Sequence, residues 1–450
     1  MSRPAPLSGF PEWLPAERLV ELSVLDTVRR IFELHGFSSL ETRAVEPLEQ
    51  MLRKGEIDKE VYVLRRLHAD ESEGDAGLGL HFDLTVPFAR YVLQNAGQLE
   101  FPFRRYQVQK VWRGERPQEG RFREFTQADI DIVGRDTLSF HHEVEVALVM
   151  AEVFRTLPCP PAVILVNNRK LAEGFFLGLG ASDAGAALRA IDKLDKIGPD
   201  RVADLLASEA GLSADAARAC LRLAAIRSAD TSFVDEVRSL GVEHPLLEEG
   251  LAELAAVVGA AHERVPGAVV ADLKIARGLD YYTGTVYETQ LVGYESVGSV
   301  CSGGRYDALA SDGRTTYPGV GISLGVTRLL AVLVGRGLVT ASRAVPTCVL
   351  VAVTDEASRR ASEDVAAALR GRGISTEVAP AADRFGKQIR YADRRGIPFV
   401  WFPDAEGGHA VKDIRSGDQV PADPASWRPP QEDLVPAVRL TAPHEQETTP

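Results

Sequence analysis

The clearest alternation of apolar and polar residues along the chain lies between Phe103 and Gly134. From Tyr106 to Arg113, and more clearly from Arg123 to Val133, apolar side chains favour every second position, which predicts two β-strands. The segment between them contains Pro117 and Gly120, which favour turns. We therefore predict a long antiparallel hairpin whose second strand has one apolar face for the core. Its other face carries Arg123, Phe125, Gln127, Asp129 and Asp131.

Apolar spacing predicts helices and strands over the rest of the chain. The predicted strands are 37–41, 60–67, 269–291, 348–353, 375–379, 399–402 and a pair within 409–420, with a flexible turn at 68–79. The predicted helices are 17–35, 140–157, 356–371 and 385–396, and a strand runs into a helix within 81–92, 161–171 and 319–333. Residues 180–264 are rich in Ala and Leu and predict an all-α insertion.

Composition narrows the class of protein without identifying it. A chain of 450 residues has room for about three domains, and a hydrophobic content of 45% is ordinary for a soluble globular protein. The net charge of −13 would repel a polyanion on average, so a nucleic acid would have to meet locally basic surfaces. The four cysteines are far apart, which argues against a zinc site or a disulfide framework and for a reducing compartment. No membrane-spanning run or secretory signal is evident, so we predict a cytoplasmic protein.

The polar face of the hairpin has two interpretations. A solvated sheet surface is the more common fate of alternating charge. Against it, Phe125 stands alone among charged residues, and arginines cluster near the turn. A polyanion such as ATP needs a planar ring that stacks on its base and guanidinium groups that bind its phosphates. The second interpretation is therefore a nucleotide-binding face.

Several segments resemble one enzyme family. The run RGERPQEGRFREFTQADIDIVG is similar to motif 2 of the class II aminoacyl-tRNA synthetases, in the form found in histidyl-tRNA synthetases. RGLDYYTG at 277–284 resembles the histidine-specific motif of that family, and GVGISLGVTRLLAVL at 319–333 resembles motif 3. DLTVPFARY at 83–91 is similar to the amino-group site of the eukaryote-like branch, which also carries aspartate at the position of Asp131. Residues 17–41 correspond to motif 1, although Arg43 stands where a proline is expected.

The resemblance extends from about Glu17 to Val420 and implies an α+β fold. An antiparallel-sheet class II catalytic domain would comprise residues 1–178 and 266–338, interrupted by a helical insertion domain at 179–265. An α/β anticodon-binding domain would follow at 344–440. Residues 441–450 are rich in Pro, Glu and Thr, and we expect them to be disordered.

The resemblance also implies site residues. The catalytic arginines would be Arg113 and Arg277. The histidine-binding residues would be Asp83, Leu84, Thr85, Arg113, Gln127, Asp131, Arg277, Tyr281 and Tyr282. ATP would be bound by Arg113, Glu115, Arg121, Phe125 and Arg328, and tRNA would be contacted by Arg116, Gln118, Lys387 and Arg390. Two alternatives stay open, because Thr85 can cap a helix and the basic helix at 385–396 can be a solvated face.

The implied activity is the ATP-dependent activation of L-histidine and its transfer to the 3′ end of tRNA(His). ATP would enter as its Mg²⁺ complex, no structural metal is expected, and the class II likeness implies a homodimer. Two rivals are a catalytically silent regulatory subunit of histidine biosynthesis and a binding module that keeps the fold. The first predicts loss of RGLDYYTG, of the ATP-site arginines and of the last domain, all of which are present. The second would tolerate broken motifs, and the matched arginines are intact.

Overall fold

A computed structural model describes residues 4–52, 60–66, 77–276, 282–403 and 408–441. Contacts divide the chain into two units. The first contains the residues up to Pro11 together with Val24–Val332, and the second contains Glu12–Ser23 together with the residues from Leu333 onward. Within the described ranges, no helix is long and apolar enough to cross a membrane.

The first unit is built on a central sheet that has nine strands among the described residues. The strands of this unit are β1 (Ser38–Ser39), β2 (Val45–Pro47), β3 (Leu78–Leu80), β4 (Phe103–Trp112), β5 (Glu124–Val133), β6 (Ala162–Asn168), β7 (Arg227–Ser228), β8 (Val269–Asp272), β9 (Tyr282–Leu291), β10 (Cys301–Tyr306) and β11 (Gly319–Gly325). The sheet order is β1-β4-β5-β11-β10-β9-β6-β8-β7, and β2 pairs with β3 separately. Neighbouring strands are antiparallel except in the pairs β1–β4 and β6–β8.

Helices flank this sheet and fill the predicted insertion. Up to residue 333 they are α1 (Pro15–Leu34), α2 (Leu48–Leu52), α3 (Thr85–Asn95), α4 (His141–Thr156), α5 (Arg169–Gly178), α6 (Ala184–Ile191), α7 (Leu194–Ile197), α8 (Pro199–Ser208), α9 (Ala214–Ala224), α10 (Phe233–Ser239), α11 (Pro245–Arg264) and α12 (Val326–Leu333), with a 3₁₀ turn at Glu295–Val297. Helices α5 and α11 pack closely through glycine: a Cβ on Gly174 would lie 2.2 Å from the backbone nitrogen of Leu247.

The second unit contains a five-stranded sheet of mixed direction, counted over the described residues. Its elements are β12 (Val339–Ala341), β13 (Val349–Val351), α13 (Arg359–Gly371), β14 (Thr376–Val378), α14 (Phe385–Arg395), β15 (Phe399–Pro403), β16 (His409–Asp413), β17 (Gln419–Pro421), a 3₁₀ turn at Gln431–Asp433 and β18 (Val438–Leu440). The order β14-β13-β15-β16-β17 is parallel up to β15 and antiparallel beyond it. Trp401 is fully buried in its core.

The hairpin that the alternation predicts is formed by β4 and β5. The ladder runs without interruption from Phe103 opposite Val133 to Trp112 opposite Glu124. Ala128, Ile130 and Ile132 are fully buried on the core face. The alternation of apolar and polar residues therefore predicted both strands and the face of the second strand that packs on the core.

Some local predictions differ from the structure. Residues 60–66 form only an isolated bridge, in which Val63 pairs with Gly79, so the predicted strand at 60–67 is wrong over its described part. The strand predicted at 37–41 is reduced to two residues, and the all-α insertion contains β7, which adds to the central sheet edge. The predicted turn at 277–284 falls mostly outside the described residues, as do the tail after Thr441 and most of 68–79.

Candidate active site

The polar face of β5 is covered by protein. Asp129 and Asp131 are each 3% exposed, and Gln127 is 9% exposed. The neighbouring strands place polar and small residues beside them: Ser323 of β11 lies opposite Asp129, and Gly321 lies opposite Asp131. The interpretation of this face as a solvated sheet surface is therefore wrong for Gln127, Asp129 and Asp131, because all three side chains are buried.

An open cleft of about 570 Å³ lies at the hairpin-loop end of this face. The hairpin supplies most of one wall, and α12 with the segment before β10 supplies the other. Its lining includes Arg113, Glu115, Arg121, Phe125, Ser323 and Arg328. The cleft thus combines three guanidinium groups with an aromatic ring, as a site for a nucleotide requires.

Arg113 is held at the end of β4 by two aromatic rings. Its guanidinium carbon lies 4.3 Å from the ring centre of Phe82 and 5.1 Å from that of Phe125. Its Nε donates to the carbonyl oxygen of Phe82 at 3.2 Å. Glu115 lies between two arginines, with its carboxylate 3.3 Å from Nη1 of Arg121 and 4.0 Å from Nη1 of Arg113.

Arg328 joins the two walls of the cleft. Its Nε donates to the carbonyl oxygen of Gly120 at 2.7 Å, and its Nη1 donates to that of Ser299 at 2.6 Å. Gly120 lies in the hairpin loop and has φ of 72°, a left-handed conformation that glycine adopts without strain. The Arg328 side chain projects from the first turn of α12. A hydrogen bond of 2.8 Å, from the Thr126 N–H of β5 to Thr327 Oγ1, connects the start of this helix to the hairpin.

The opposite end of the face contains a buried carboxylate that two side chains contact. Asp131 Oδ2 lies 2.6 Å from Arg105 Nη2, and its Oδ1 accepts from the hydroxyl of Tyr306 at 2.7 Å. Burial raises the pKa of Asp131, and the Arg105 charge and the Tyr306 hydrogen bond oppose that rise. Burial and the adjacent carboxylate raise the pKa of Tyr306, so its hydroxyl stays protonated and acts as the donor.

Glycines of β11 make room for this contact across the sheet. A Cβ on Gly321 would lie 2.1 Å from Asp131 Oδ1, and one on Gly319 would lie 2.5 Å from the ring of Tyr306. Any side chain at either position would have to displace these groups. The glycines of the GVG sequence therefore allow Tyr306 of β10 to reach Asp131 of β5 over the strand between them.

An acceptor without a partner lies between the cleft and the buried carboxylate. Gln127 Nε2 donates to Ser323 Oγ at 2.7 Å, whereas Gln127 Oε1 is buried and meets no hydrogen-bond donor in the described part of the chain. A buried acceptor of this kind is costly unless a ligand supplies a donor. An ammonium group would satisfy it.

The chain matches two family models. Residues 9–329 match the model described as histidyl-tRNA synthetase, and residues 347–422 match that of the anticodon binding domain. The chain belongs to the histidyl-tRNA synthetase family.

Individual members of the histidyl-tRNA synthetase family match over nearly the full chain. The histidine–tRNA ligase of Cutibacterium acnes is 63% identical over 97% of this chain and 99% of its own length. The crystal structure of histidyl-tRNA synthetase from Nostoc sp. PCC 7120 is 36% identical, with a TM-score of 0.83 over 94% of this chain and 97% of that one. A Bacillus halodurans structure described as an ATP phosphoribosyltransferase regulatory subunit/histidyl-tRNA synthetase is 18% identical with a TM-score of 0.71, over 86% of this chain and 96% of that one, and shows the fold alone. The predicted fold class, a synthetase core followed by an anticodon-binding domain, is confirmed.

The structure brings together most of the residues that the family resemblance selects. The predicted ATP-site residues all line the one cleft. Asp83 lies just before α3 and accepts from the Val86 N–H at 3.1 Å, so its carboxylate caps the first turn of this helix, for which Thr85 was one alternative. Leu84 is fully buried, and its carbonyl oxygen lies 3.5 Å from Arg105 Nη2. Their roles in ligand binding stay predictions.

Two predicted site residues, one of which is also a predicted catalytic residue, cannot be placed in the same way. Arg277 and Tyr281 lie outside the described residues. Tyr282 is described, and it is the register partner of Tyr306 on the adjacent strand. It packs against the cluster that contains Tyr306, so it approaches the same end of the sheet face.

The residues predicted to contact tRNA are on the surface. Arg116 and Gln118 are exposed in the hairpin loop of the first unit, and Lys387 and Arg390 are exposed on α14 of the second. Lys387 forms an ion pair with Asp383 at 2.9 Å, as expected of a solvated helix face. Exposure alone leaves both interpretations of α14 open.

Sequence reasoning did not select Arg105 or Tyr306 as site residues. Tyr306 follows the two glycines of SGGRYD, and nothing local indicates which distant carboxylate its hydroxyl meets. Arg105 belongs to the hairpin, where strand register could have paired it with Asp131. The signal for Arg105 was therefore present in the sequence, and that for Tyr306 was not.

Among the described residues, one group of side chains could approach a metal ion. Ligand atoms of His141, His142 and Glu145 lie within 4.8 Å of one another. However, Arg104 donates to both carboxylate oxygens of Glu145, at 3.0 and 2.6 Å, and the group lies in the first turn of α4, where the helix dipole disfavours cations. We therefore assign no metal to it.

Proposed function

We propose that the chain is a histidine–tRNA ligase, which activates L-histidine with ATP and transfers it to tRNA(His). The observation that carries the proposal is one enclosed sheet face with an arginine-rich cleft at one end and the buried carboxylate Asp131 at the other. A nucleotide and an amino acid bound at the two ends would meet in the middle, beside Arg113 and Gln127. Membership of the histidyl-tRNA synthetase family supports this arrangement.

The chemistry of activation needs positioning more than proton transfer. The histidine carboxylate is ionised at neutral pH and can attack the α-phosphorus of ATP without a general base. Attack forms a bond from the carboxylate oxygen to phosphorus and breaks the bond to pyrophosphate, which leaves. Arg113, held between two rings, is suited to bring the carboxylate and the α-phosphate together and to offset the growing negative charge. We assign Arg277 the same task from the opposite side, and ATP would arrive as its Mg²⁺ complex.

The remaining ATP contacts follow from the cleft. Phe125 and Arg328 would stack on the two faces of the adenine, because both line the same opening. Arg121 would bind the terminal phosphates. Glu115, which accepts from Arg121, would orient that side chain and lie near the adenine edge.

Specificity for histidine would come from the buried end of the face. Asp131 can accept from one ring N–H, while Tyr281 or Tyr282 bonds the other nitrogen. An amino acid that lacks these nitrogens would leave buried groups unpaired, which is a strong basis for rejection. Asp83, Thr85 and the unpartnered Oε1 of Gln127 would bind the ammonium group.

The second step and the assembly are also part of the proposal. The exposed residues Arg116 and Gln118 would contact the acceptor end of tRNA, and Lys387 and Arg390 would contact the anticodon arm. We propose that the chain acts as a cytoplasmic homodimer. Light scattering of the purified chain tests the dimer, and a monomer that is fully active would contradict it.

The test of the proposed activity is amino-acid-dependent ATP–pyrophosphate exchange with each standard amino acid, followed by charging of tRNA. We expect exchange with histidine alone, and its loss in Arg277→Ala or Asp131→Ala without unfolding. A folded protein that binds histidine but exchanges with no amino acid would instead support the regulatory subunit. Lys387→Ala with Arg390→Ala should slow tRNA charging and leave exchange unchanged.

A further inference from the structure

Arg105 forms an ion pair with Asp131 that is unusually deep in the protein. Arg105 is fully buried, and its Nη2 lies 2.6 Å from Asp131 Oδ2. The ring centre of Phe88 lies 4.2 Å from the guanidinium carbon. Nε and Nη1 of Arg105 are buried, and neither has a hydrogen-bond partner among the residues that the structure describes.

The ion pair of Arg105 and Asp131 is not expected to stabilise the fold. Burying two charges costs more solvation than their attraction commonly restores, and guanidinium donors left without acceptors add to the cost. The preceding residue shows the contrast. Arg104 points to the other side of the sheet, where it donates to both carboxylate oxygens of Glu145 and to the carbonyl oxygen of His35. Arg104 thus donates to three acceptor atoms, whereas the acceptors of Arg105 among the described residues are one oxygen of Asp131 and, at 3.5 Å, the carbonyl oxygen of Leu84.

The contacts of Asp131 indicate what the pair achieves. Each carboxylate oxygen meets one protein group, Arg105 on one side and Tyr306 on the other. An ionised carboxylate has about four acceptor positions, so each oxygen keeps capacity for a further donor. Oδ1 occupies the space beside Gly321 that a side chain would fill, since a Cβ there would lie 2.1 Å from it. The carboxylate is therefore fixed in orientation while it remains able to accept from a ligand.

Building on the proposed activation of histidine, we propose that Arg105 is a positioning residue, which fixes the ionised Asp131 carboxylate so that it accepts from the imidazole N–H of the substrate. Arg105 itself touches no substrate atom. Its contribution should appear in histidine binding and not in ATP binding, because Arg105 does not line the ATP cleft.

The charge on Arg105 also acts on the protonation of Asp131. Burial raises the pKa of this carboxyl, and Arg105 and the Tyr306 hydrogen bond lower it. Loss of the cation would therefore raise the pKa further, so that Asp131 becomes protonated at a higher pH and one of its oxygens changes from an acceptor to a donor. Among the described residues, the titratable and charged groups near Asp131 are Arg105 on β4, Tyr306 on β10 with Tyr282 beside it on β9, and Asp129 on the same strand, whereas β11 presents Gly321.

The experiment compares the KM for histidine and for ATP in pyrophosphate exchange, at each pH at which the wild type and the variant both stay folded. The variants are Arg105→Met, which removes the charge, and Arg105→Lys, which keeps it with poorer geometry. Arg104→Met is the matched control, since it breaks a comparable ion pair on the opposite side of the same strand. Circular dichroism checks that each variant is folded.

We expect Arg105→Met to raise the KM for histidine by about 10-fold or more, in line with the loss of a hydrogen bond to a charged acceptor. The increase should grow toward low pH, Arg105→Lys should restore part of the affinity, and the KM for ATP should change less than about twofold. Arg104→Met should lower thermal stability and leave both KM values and the pH profile unchanged. Combining Arg105→Met with Asp131→Asn should add little to Asp131→Asn alone.

Two outcomes separate this inference from the proposed function. A wild-type chain that does not exchange with histidine removes the proposed function itself. An active wild type with a folded Arg105→Met variant of unchanged histidine KM and pH profile overturns the role of Arg105 alone. If Arg105→Met does not fold, Gly321→Ala provides the test, because its methyl displaces the carboxylate while the cation stays. An unchanged histidine KM in Gly321→Ala would then reject the inference.

Discussion

Arg328 is the side chain whose removal should most directly separate ATP binding from histidine binding. Its two hydrogen bonds, of 2.7 and 2.6 Å, link the carbonyl oxygens of Gly120 and Ser299 across the nucleotide cleft. Bonds from a charged donor contribute about 1.5–3 kcal/mol each, and partial exposure places this pair toward the lower end. Arg328→Ala should therefore remove about 3 kcal/mol of the free energy that holds the two walls of the cleft together. The loss of stacking on the base would add to this figure.

A loss of about 3 kcal/mol in transition-state binding corresponds to a decrease of about 100-fold in kcat/KM. The assay is pyrophosphate exchange with ATP varied at saturating histidine, and then with histidine varied at saturating ATP. We expect the effect in kcat/KM for ATP and a change of less than about threefold in the KM for histidine. Arg328→Lys should recover little, because one ammonium group cannot span both carbonyl oxygens in a fixed fork.

The control for Arg328→Ala is Arg314→Ala, which removes an exposed arginine of the same unit. It should leave all kinetic constants unchanged. A folded Arg328→Ala variant that uses ATP as the wild type does would refute the assignment of this cleft to the nucleotide. An equal loss of affinity for ATP and histidine would show that Arg328 supports the whole face and not the cleft alone.

Three further predictions concern stacking, packing and pH. Phe125→Leu should raise the KM for ATP about 5- to 20-fold through lost base stacking, and an unchanged KM in exchange assays would contradict the stacking role. Gly174→Ala should lower the unfolding free energy by about 1–3 kcal/mol because its methyl meets the α11 backbone, whereas Gly386→Ala, with open space around its Cβ, should raise it by about 0.5 kcal/mol in denaturant melts. Hydrogen bonds from Arg415 lower the pKa of Asp413, so this pair stabilises the fold above the ordinary carboxyl pKa and less as pH falls through the lowered value. Asp413→Asn should thus cost about 0.5 kcal/mol near neutral pH and nothing in acid, and a difference that persists in acid would rule out this linkage.

The fold was predictable in segments where apolar residues recur at regular spacing over many consecutive positions. The hairpin, the helix His141–Thr156 and the strand–helix unit from Ala162 to Gly178 lie within a residue or two of the predicted boundaries. The exceptions are β4, which begins three residues before Tyr106, and α5, which continues past 171. The strand predicted at 60–67 is wrong because apolar residues alone do not supply a pairing partner. Within its described part, 60–66, only Val63 forms a bridge, with Gly79. Strand formation depends on such distant partners, which the period of two does not reveal.

In the site, too, contacts between residues close in the chain were predictable, and contacts with distant strands were not. Contacts within the hairpin follow from the strand register. Arg105 lies seven positions before Trp112, and Asp131 lies seven positions after Glu124, the partner of Trp112. The pairing of Arg105 with Asp131 is therefore implied once the turn is located. The burial of Asp131 does not follow in this way, because it requires β11 and β10, which begin far along the chain. The glycines at 319 and 321 provide the link, since a strand without side chains at those positions indicates that a neighbour's side chain lies over it. What that neighbour is, here the ring and hydroxyl of Tyr306, depends on the three-dimensional order of strands and could be learned only from the structure.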